Sequence, residues 1–190
     1  MQTDQRITVA MGELLRRQGY AATGIKQIID AAGVPNGSLY HHFRGGKGEI
    51  AAAALRDMGA AYAELVGGLL ATGDDLPSAI EQAFDQAGAD IESTGWVNMC
   101  PVGTVAGEVA DIEPDLRDVV AEIIQGWIDG GTELVAAQGY DREHARNLVT
   151  AIVAALEGAF VMARTLRSAE PLRSAGRAMS SYAKVLTPSR

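Results

Sequence analysis

The stretch Thr23–Lys47, TGIKQIIDAAGVPNGSLYHHFRGGK, leaves the chain few ways to fold. Ile25, Ile28, Ile29 and Ala32 recur at helical spacing and give a first helix one apolar face. Gly33 stands where a left-handed C-cap residue is wanted. Val34 packs the turn, and Pro35 cannot continue the old helix. Pro35-Asn36-Gly37-Ser38 restarts the chain into a second helix, whose Leu39 and Phe43 lie four apart on one face. Asn36, Ser38, Tyr40, His41 and His42 cover the rest of it. A helix so short, with two apolar anchors and a polar, aromatic, donor-rich remainder, is no core element. It is suited to entering the major groove of DNA, which admits an α-helix.

The net charge of −8 argues at first against such a partner, but its distribution does not. Residues 1–50 carry six basic groups (Arg6, Arg16, Arg17, Lys26, Arg44, Lys47) against four acidic ones (Asp4, Glu13, Asp30, Glu49), a balance of +2. The other 10 basic and 20 acidic groups follow, a balance of −10. A mildly basic head on an acidic body fits a DNA-contacting module joined to a body that stays off the phosphates.

Beyond the head, helical periodicity continues and no convincing strand emerges. Hydrophobic residues make up 47% of 190, with 22 glycines and only 5% aromatics, a mix that favours close-packed helices over sheet. Ile7, Ala10, Met11, Leu14 and Leu15 form a stripe ended by Gly19, and Thr23 is a reasonable N-cap for the helix after it. An alanine-rich helix from about Lys47 to Leu70 starts in the basic head and ends in the acidic body, a rigid connector. Asp74-Asp75-Leu76-Pro77 caps the next helix, roughly 76–94. Residues 94–108, TGWVNMCPVGTVAGE, read as irregular, interrupted by Pro101 and Gly103 and followed by a short helix to Ala110. Pro114 opens a helix to about Gly139 with Val120, Ile123, Ile124, Trp127, Ile128 and Leu134 as its buried stripe. Further helices run from Arg142 to about Ser168, and from Pro171 to near Leu186, before Pro188. The expectation is an all-α chain of about nine helices. A single cysteine, Cys100, excludes an internal disulfide and fits a reducing cytoplasm. There is no run of about 18 uninterrupted apolar residues, and the polar start does not resemble a secretory signal, so a cytoplasmic chain with no membrane partner is expected.

In order and spacing, Gly19-Tyr20, Thr23, Ile28, Ala32-Gly33-Val34, Gly37, Leu39-Tyr40, His42-Phe43 and Lys47 resemble the N-terminal signature of TetR-type transcriptional regulators. Gly24 departs from the usual Ser or Thr, and Gly45-Gly46 adds one residue before the lysine. That insertion, with WVNMCPVGTVAGE and the later AALEGAFVMAR, resembles the LmrA/YxaF-like branch over most of residues 94–180. The resemblance implies a three-helix N-terminal helix-turn-helix DNA-binding domain, residues 1–47, joined by the connector helix to a ligand-binding and dimerisation domain, residues 48–190. It implies a homodimer on a palindromic double-stranded operator, acting as a repressor released by a small hydrophobic or aromatic effector. The last two helices are expected to build the dimerising four-helix bundle.

The DNA-facing set on this reading is Thr23, Lys26, Asn36, Ser38, Tyr40, His41, His42 and Lys47. Lys26 lies on the exposed face of the first motif helix. Asn36 can cap the second or present its amide to adenine or a phosphate. Tyr40 follows a core leucine and has no packing reason to be there; in the family its hydroxyl or ring meets the backbone or a thymine methyl. His41 would point into the groove, His42 would donate to a phosphate, and Lys47 would anchor a phosphate at the first turn of the connector. The two histidines diverge by ~100° on a helix and cannot share one ion, so no metal is expected. Trp96, Met99, Cys100, Trp127, Glu157 and Phe160 read individually as core residues; as a set they would line an apolar effector site with adaptable walls. Cys100 has no cationic neighbour in sequence and reads as a small buried hydrophobe. Ala151, Ala155, Gly158 and Ala159 offer a small-residue face for a helix–helix dimer contact, to which Met162 is added. No cofactor motif is present. An enzyme would need a nucleophile–base or acid–base constellation that the sequence does not provide. A helical interaction protein that has lost DNA binding is the other alternative.

Overall fold

The structure, a computed structural model, describes residues 1–72 and 75–186, with the side chains of 69–72 left aside. Asp74 and Pro188, read above as helix boundaries, lie outside the described residues. Among the described residues there are nine α-helices and no strand. They are α1 (Thr3–Gln18), α2 (Ile25–Ala32), α3 (Asn36–His42), α4 (Gly46–Thr72), α5 (Leu76–Ser93), α6 (Pro101–Val109), α7 (Pro114–Ala136), α8 (Arg142–Leu166) and α9 (Glu170–Val185). The helices group into two compact units, one of Met1–Ala61 with Cys100–Ile123, the other of Tyr62–Met99 with Ile124 onward. The boundary expected at 47/48 falls inside the first unit.

In the first unit α1 packs on α2, α3 and α6, with Ile7, Met11, Leu15, Ile28, Leu39, Ile50, Leu55 and Val105 fully buried. The turn between α2 and α3 forms as the glycine requires. Gly33 is left-handed (φ 61°, ψ 42°), and the Val34 N–H donates to the Ile29 carbonyl at 3.3 Å. Arg6 Nη2 donates to the Gly33 carbonyl at 2.9 Å, which ties α1 to this turn. Two expectations are corrected here. Thr23 is not the N-cap of α2: Gly24 holds that position, and its N–H donates to Gln27 Oε1 at 2.8 Å. Residues 101–109 are regular helix, because Pro101 starts α6 in its first turn, where a missing N–H costs nothing, and Gly103 does not break it.

The second unit is built on close helix approach. A Cβ on Gly176 of α9 would lie 2.7 Å from the Cβ of Phe84 on α5, and one on Gly131 of α7 would lie 2.8 Å from Val149 Cγ1 on α8. Glycine at these points lets the backbones meet and buries Phe84, Ile91, Leu148, Phe160 and Leu172. Outside that core α7 and α8 are cross-linked by charge. Arg146 Nη1 donates to Asp129 Oδ1 at 2.7 Å, and Arg142 forks onto both carboxylate oxygens of Glu133. Carboxylates also start two helices. Asp75 accepts from the Ser78 N–H at 2.7 Å, and Asp141 accepts from the Glu143 and His144 N–H groups, each at 3.0 Å. After α5 the chain turns through Gly95 and Trp96, both left-handed (φ 66° and 67°). The Trp96 N–H donates to the Ile91 carbonyl at 2.8 Å.

Candidate nucleic-acid interface

Leu39 and Phe43 seat α3 in the core, at 0% and 8% exposure. Everything between and around them turns outward. Tyr40 is 57% exposed, Asn36, His41 and His42 are exposed, and Ser38 is half-buried. The His41 and His42 rings meet edge-on, 5.1 Å between centroids. Pro35 occupies the N-cap position, so Asn36 is the first helical residue and its amide is not the cap. Lys26 is exposed on α2. These residues form a surface of donors, aromatic edges and one cation, held by two buried anchors.

Two members of the expected DNA-facing set are placed otherwise. Thr23 is 1% exposed; its hydroxyl donates to the Gly19 carbonyl at 2.6 Å and accepts from Gln18 Nε2 at 3.3 Å. It closes the α1–α2 turn from inside and offers nothing to a groove. Lys47 is half-buried, with Nζ 3.9 Å from the centroid of the Tyr20 ring. Burial lowers the pKa of this ammonium, while the Glu113 and Glu108 carboxylates act the other way. In the free protein the cation thus rests over an aromatic face of the first unit. The glycine pair before it has a local reason: Gly46 is left-handed (φ 67°), and the Gly45 N–H donates to Glu49 Oε2 at 2.7 Å as α4 begins.

Glu108, not among the expected site residues, ties α6 to the end of α1. From α6 it accepts the backbone N–H of Tyr20 at 2.6 Å and of Ala21 at 2.8 Å. Nearby, the buried Tyr20 donates its hydroxyl to Glu113 Oε1 at 3.4 Å. Burial first, and then the Glu113 charge, raises the Tyr20 pKa above the ordinary phenol value. A signal existed in the sequence: Glu108 is the only charged residue between Pro101 and Ala110.

The residues expected to hold an effector are distributed as follows. In the second unit Trp96, Trp127 and Glu157 are half-buried, while Met99 and Phe160 are buried. Trp127 lies 6.2 Å from the Tyr62 ring, and Arg164 Nη1 is 3.2 Å from the Met99 sulfur. Cys100 belongs to the first unit, buried at the N-cap position of α6. A hollow of about 470 Å³ lies elsewhere, between α1 and α2, lined by residues such as Arg6, Val9, Glu13, Leu14 and Arg17; no residue of the expected effector set lines it. Among the described residues no group of three or more His, Cys, Asp or Glu could hold a metal ion.

The expected dimer face is partly redrawn. Ala151 and Ala155 are half-buried and Gly158 is exposed. Met162 is 54% exposed, and Val161 and Leu166 on α8 and Tyr182 and Val185 on α9 are exposed as well. Ala159 is corrected. It is 5% exposed and packs inward with Phe160 and Ala163, because it lies on the core face of α8.

Comparison with known proteins bears on the family and the fold. Residues 7–54 match the family described as bacterial regulatory proteins, tetR family. Residues 77–178 match the C-terminal domain of LmrA/YxaF-like transcriptional regulators. The chain is 30% identical over 168 residues to the HTH-type transcriptional regulator YxaF of Bacillus subtilis, covering 88% of each chain. It is 28% identical to the HTH-type transcriptional regulator LmrA of the same organism, over 88% of this chain and 89% of that one. The crystal structure of a TetR regulatory protein from Rhodobacter sphaeroides superposes with a TM-score of 0.82 at 26% identity, covering 94% of this chain and 97% of the other.

Proposed function

The chain belongs to the TetR family of bacterial transcriptional regulators, in its LmrA/YxaF-like branch, and on that premise we propose that it is a repressor that grips a palindromic operator as a homodimer and lets go when a small hydrophobic or aromatic effector binds its body. It is a regulator, not an enzyme. The observation that carries the reading is α3, where two buried anchors leave Asn36, Tyr40, His41 and His42 facing outward. In a two-fold dimer the two copies of α3 would enter successive major grooves about 34–36 Å apart. Lys26 would add a phosphate contact from α2. The exposed apolar residues Val161, Met162 and Leu166 on α8 and Tyr182 and Val185 on α9 support a partner copy packed on these two helices.

By length and composition alone α8 could also cross a membrane: it has 25 residues and a mean hydropathy of 1.6 in its most apolar window. Its charged rows favour the dimer reading. Arg142 and Arg146 are engaged by α7, and Glu157 and Arg164 fall within or beside the apolar stretch. A regulator of this kind works in the cytoplasm. The effector would bind in the second unit near Trp96, Met99, Trp127, Glu157 and Phe160, and it must favour one state of the protein over the other, since equal affinity shifts nothing. Gel-shift with the DNA upstream of the chain's own gene tests the reading. Sequence-preferring, salt-sensitive binding by the purified protein supports it. Binding that ignores sequence, or none at all, leaves a helical interaction protein instead.

A further inference from the structure

We propose that Glu108 is a positioning residue for DNA binding, an acceptor on α6 that holds the α1–α2 turn in the geometry from which α2 and α3 meet the groove. The inference rests on the DNA-binding reading of the head. It starts from an accounting of backbone donors. At the end of α1 the Gly19 N–H donates to the Leu15 carbonyl, and after the turn the Thr23 N–H donates to that of Tyr20. Of the three N–H groups between them, those of Tyr20 and Ala21 both go to one oxygen of Glu108, 2.6 and 2.8 Å away. Tyr20 is buried, so its N–H needs a partner within the protein; Ala21 is exposed, and its N–H leaves water for a carboxylate, a stronger acceptor than a carbonyl.

The seat for that carboxylate is shaped by sequence on both sides. Gly19 is left-handed (φ 79°), and a Cβ there would run into Glu108 Oε1, so the turn has a glycine where the acid must lie. On the opposite side the turn is closed by side chains of its own: Thr23 Oγ1 donates to the Gly19 carbonyl at 2.6 Å, and Gln18 Nε2 donates to the Ala22 carbonyl at 2.9 Å. Without Glu108 the Tyr20 and Ala21 N–H groups lose their protein acceptor, and on the Glu108 side the turn keeps only the ties of the Tyr20 side chain to Glu113 and Lys47. The turn runs straight into α2, whose second residue is Lys26 and whose last turn sets Gly33 and the start of α3. Loosening it spreads the orientations of both helices relative to α1. DNA then binds only the fraction of molecules in the right one, and apparent affinity drops by that fraction.

The test uses the full chain, a duplex selected by the wild-type protein from a random pool, and the variants Glu108→Ala and Glu108→Gln. Amide hydrogen exchange at Tyr20 and Ala21 should rise about tenfold or more in Glu108→Ala, with core amides unchanged. Affinity for the duplex should fall about tenfold, while the salt dependence keeps its slope because no phosphate contact is removed. Glu108→Gln, whose amide oxygen still accepts but carries no charge, should fall between; it also carries the test alone if Glu108→Ala does not fold. Turn amides that exchange at the wild-type rate overturn the proposal. So does a loosened turn with affinity within about twofold of wild type, since competence would then not depend on it. A wild-type chain that selects no duplex overturns the DNA-binding reading and this inference with it, and that result is told apart because no variant is needed to see it.

Discussion

Tyr40 can be removed without touching what holds α3, because Leu39 and Phe43 are the residues that reach the core. Tyr40→Ala is therefore expected to leave the melting temperature unchanged and to weaken operator binding by about 1–2 kcal/mol, roughly tenfold, in a titrated gel-shift. Lys26→Ala should act differently, weakening binding across sequences and reducing the salt slope by about 1, as loss of one phosphate contact does. Lys47 separates the sequence reading from the structure. As a phosphate anchor its loss would reduce that slope too. Seated over Tyr20, it should instead leave the slope alone and lower stability by about 0.5–1 kcal/mol, read by urea denaturation. Thr23, Lys47 and Glu108 share the reason they were not legible in advance. Each is decided by a contact across the tertiary fold or by a hydroxyl's choice between accepting from a helix N–H and donating to a nearby carbonyl, and neither leaves a periodic trace in the chain. Tyr40 and Gly33 were legible because an exposed aromatic after a core leucine, and a glycine at a helix end, are local facts.

At the scale of helices, the starts of α5 and α8 depend on Asp75 and Asp141, each accepting from backbone N–H groups that would otherwise be orphaned. Those hydrogen bonds hold both carboxyls below the usual aspartate value, and Arg partners do the same first for Asp129, Glu133 and Glu170. For a group whose folded pKa is depressed, the added stability is present above the unfolded value and is lost as pH falls through the folded one. The melting temperature should thus be flat above about pH 5 and fall steadily below about pH 4, less steeply in high salt because all five groups are exposed. Thermal melts from pH 7 to pH 2 check this, and a curve without an acid limb would refute it. Glycines mark where helices have no room. Gly176→Ala should destabilise by about 1–3 kcal/mol against Phe84, in contrast to glycines with nothing nearby. Helix number and class were readable from periodicity and from Pro and Gly punctuation. The register at which glycines let α5 meet α9 was not, since Phe84 and Gly176 are distant in sequence.

For the whole molecule the exposed apolar residues of α8 and α9 mark where a partner copy would pack. Gly158 has nothing within 4 Å of a Cβ built on it, so a larger residue is accommodated by the isolated protomer. Gly158→Leu should keep its helical circular dichroism yet run as a monomer in size-exclusion chromatography with light scattering, and it should lose most operator affinity because one half-site is then gripped at a time. A dimer that survives Gly158→Leu together with Met162→Asp would place the contact elsewhere. The makeup of the first unit has a further consequence, for synthesis. Met1–Ala61 leaves the ribosome long before Cys100–Ile123, the segment that completes it and carries Glu108. At about 5–20 residues per second the nascent head waits some seconds with the Tyr20 and Ala21 amides still bonded to water. Its last step must close a loop of more than eighty residues, a slow kind of contact to form. The DNA-contacting end of this chain begins first and finishes late, so a transcript cut short after the head would yield helices without the carboxylate that sets their angle.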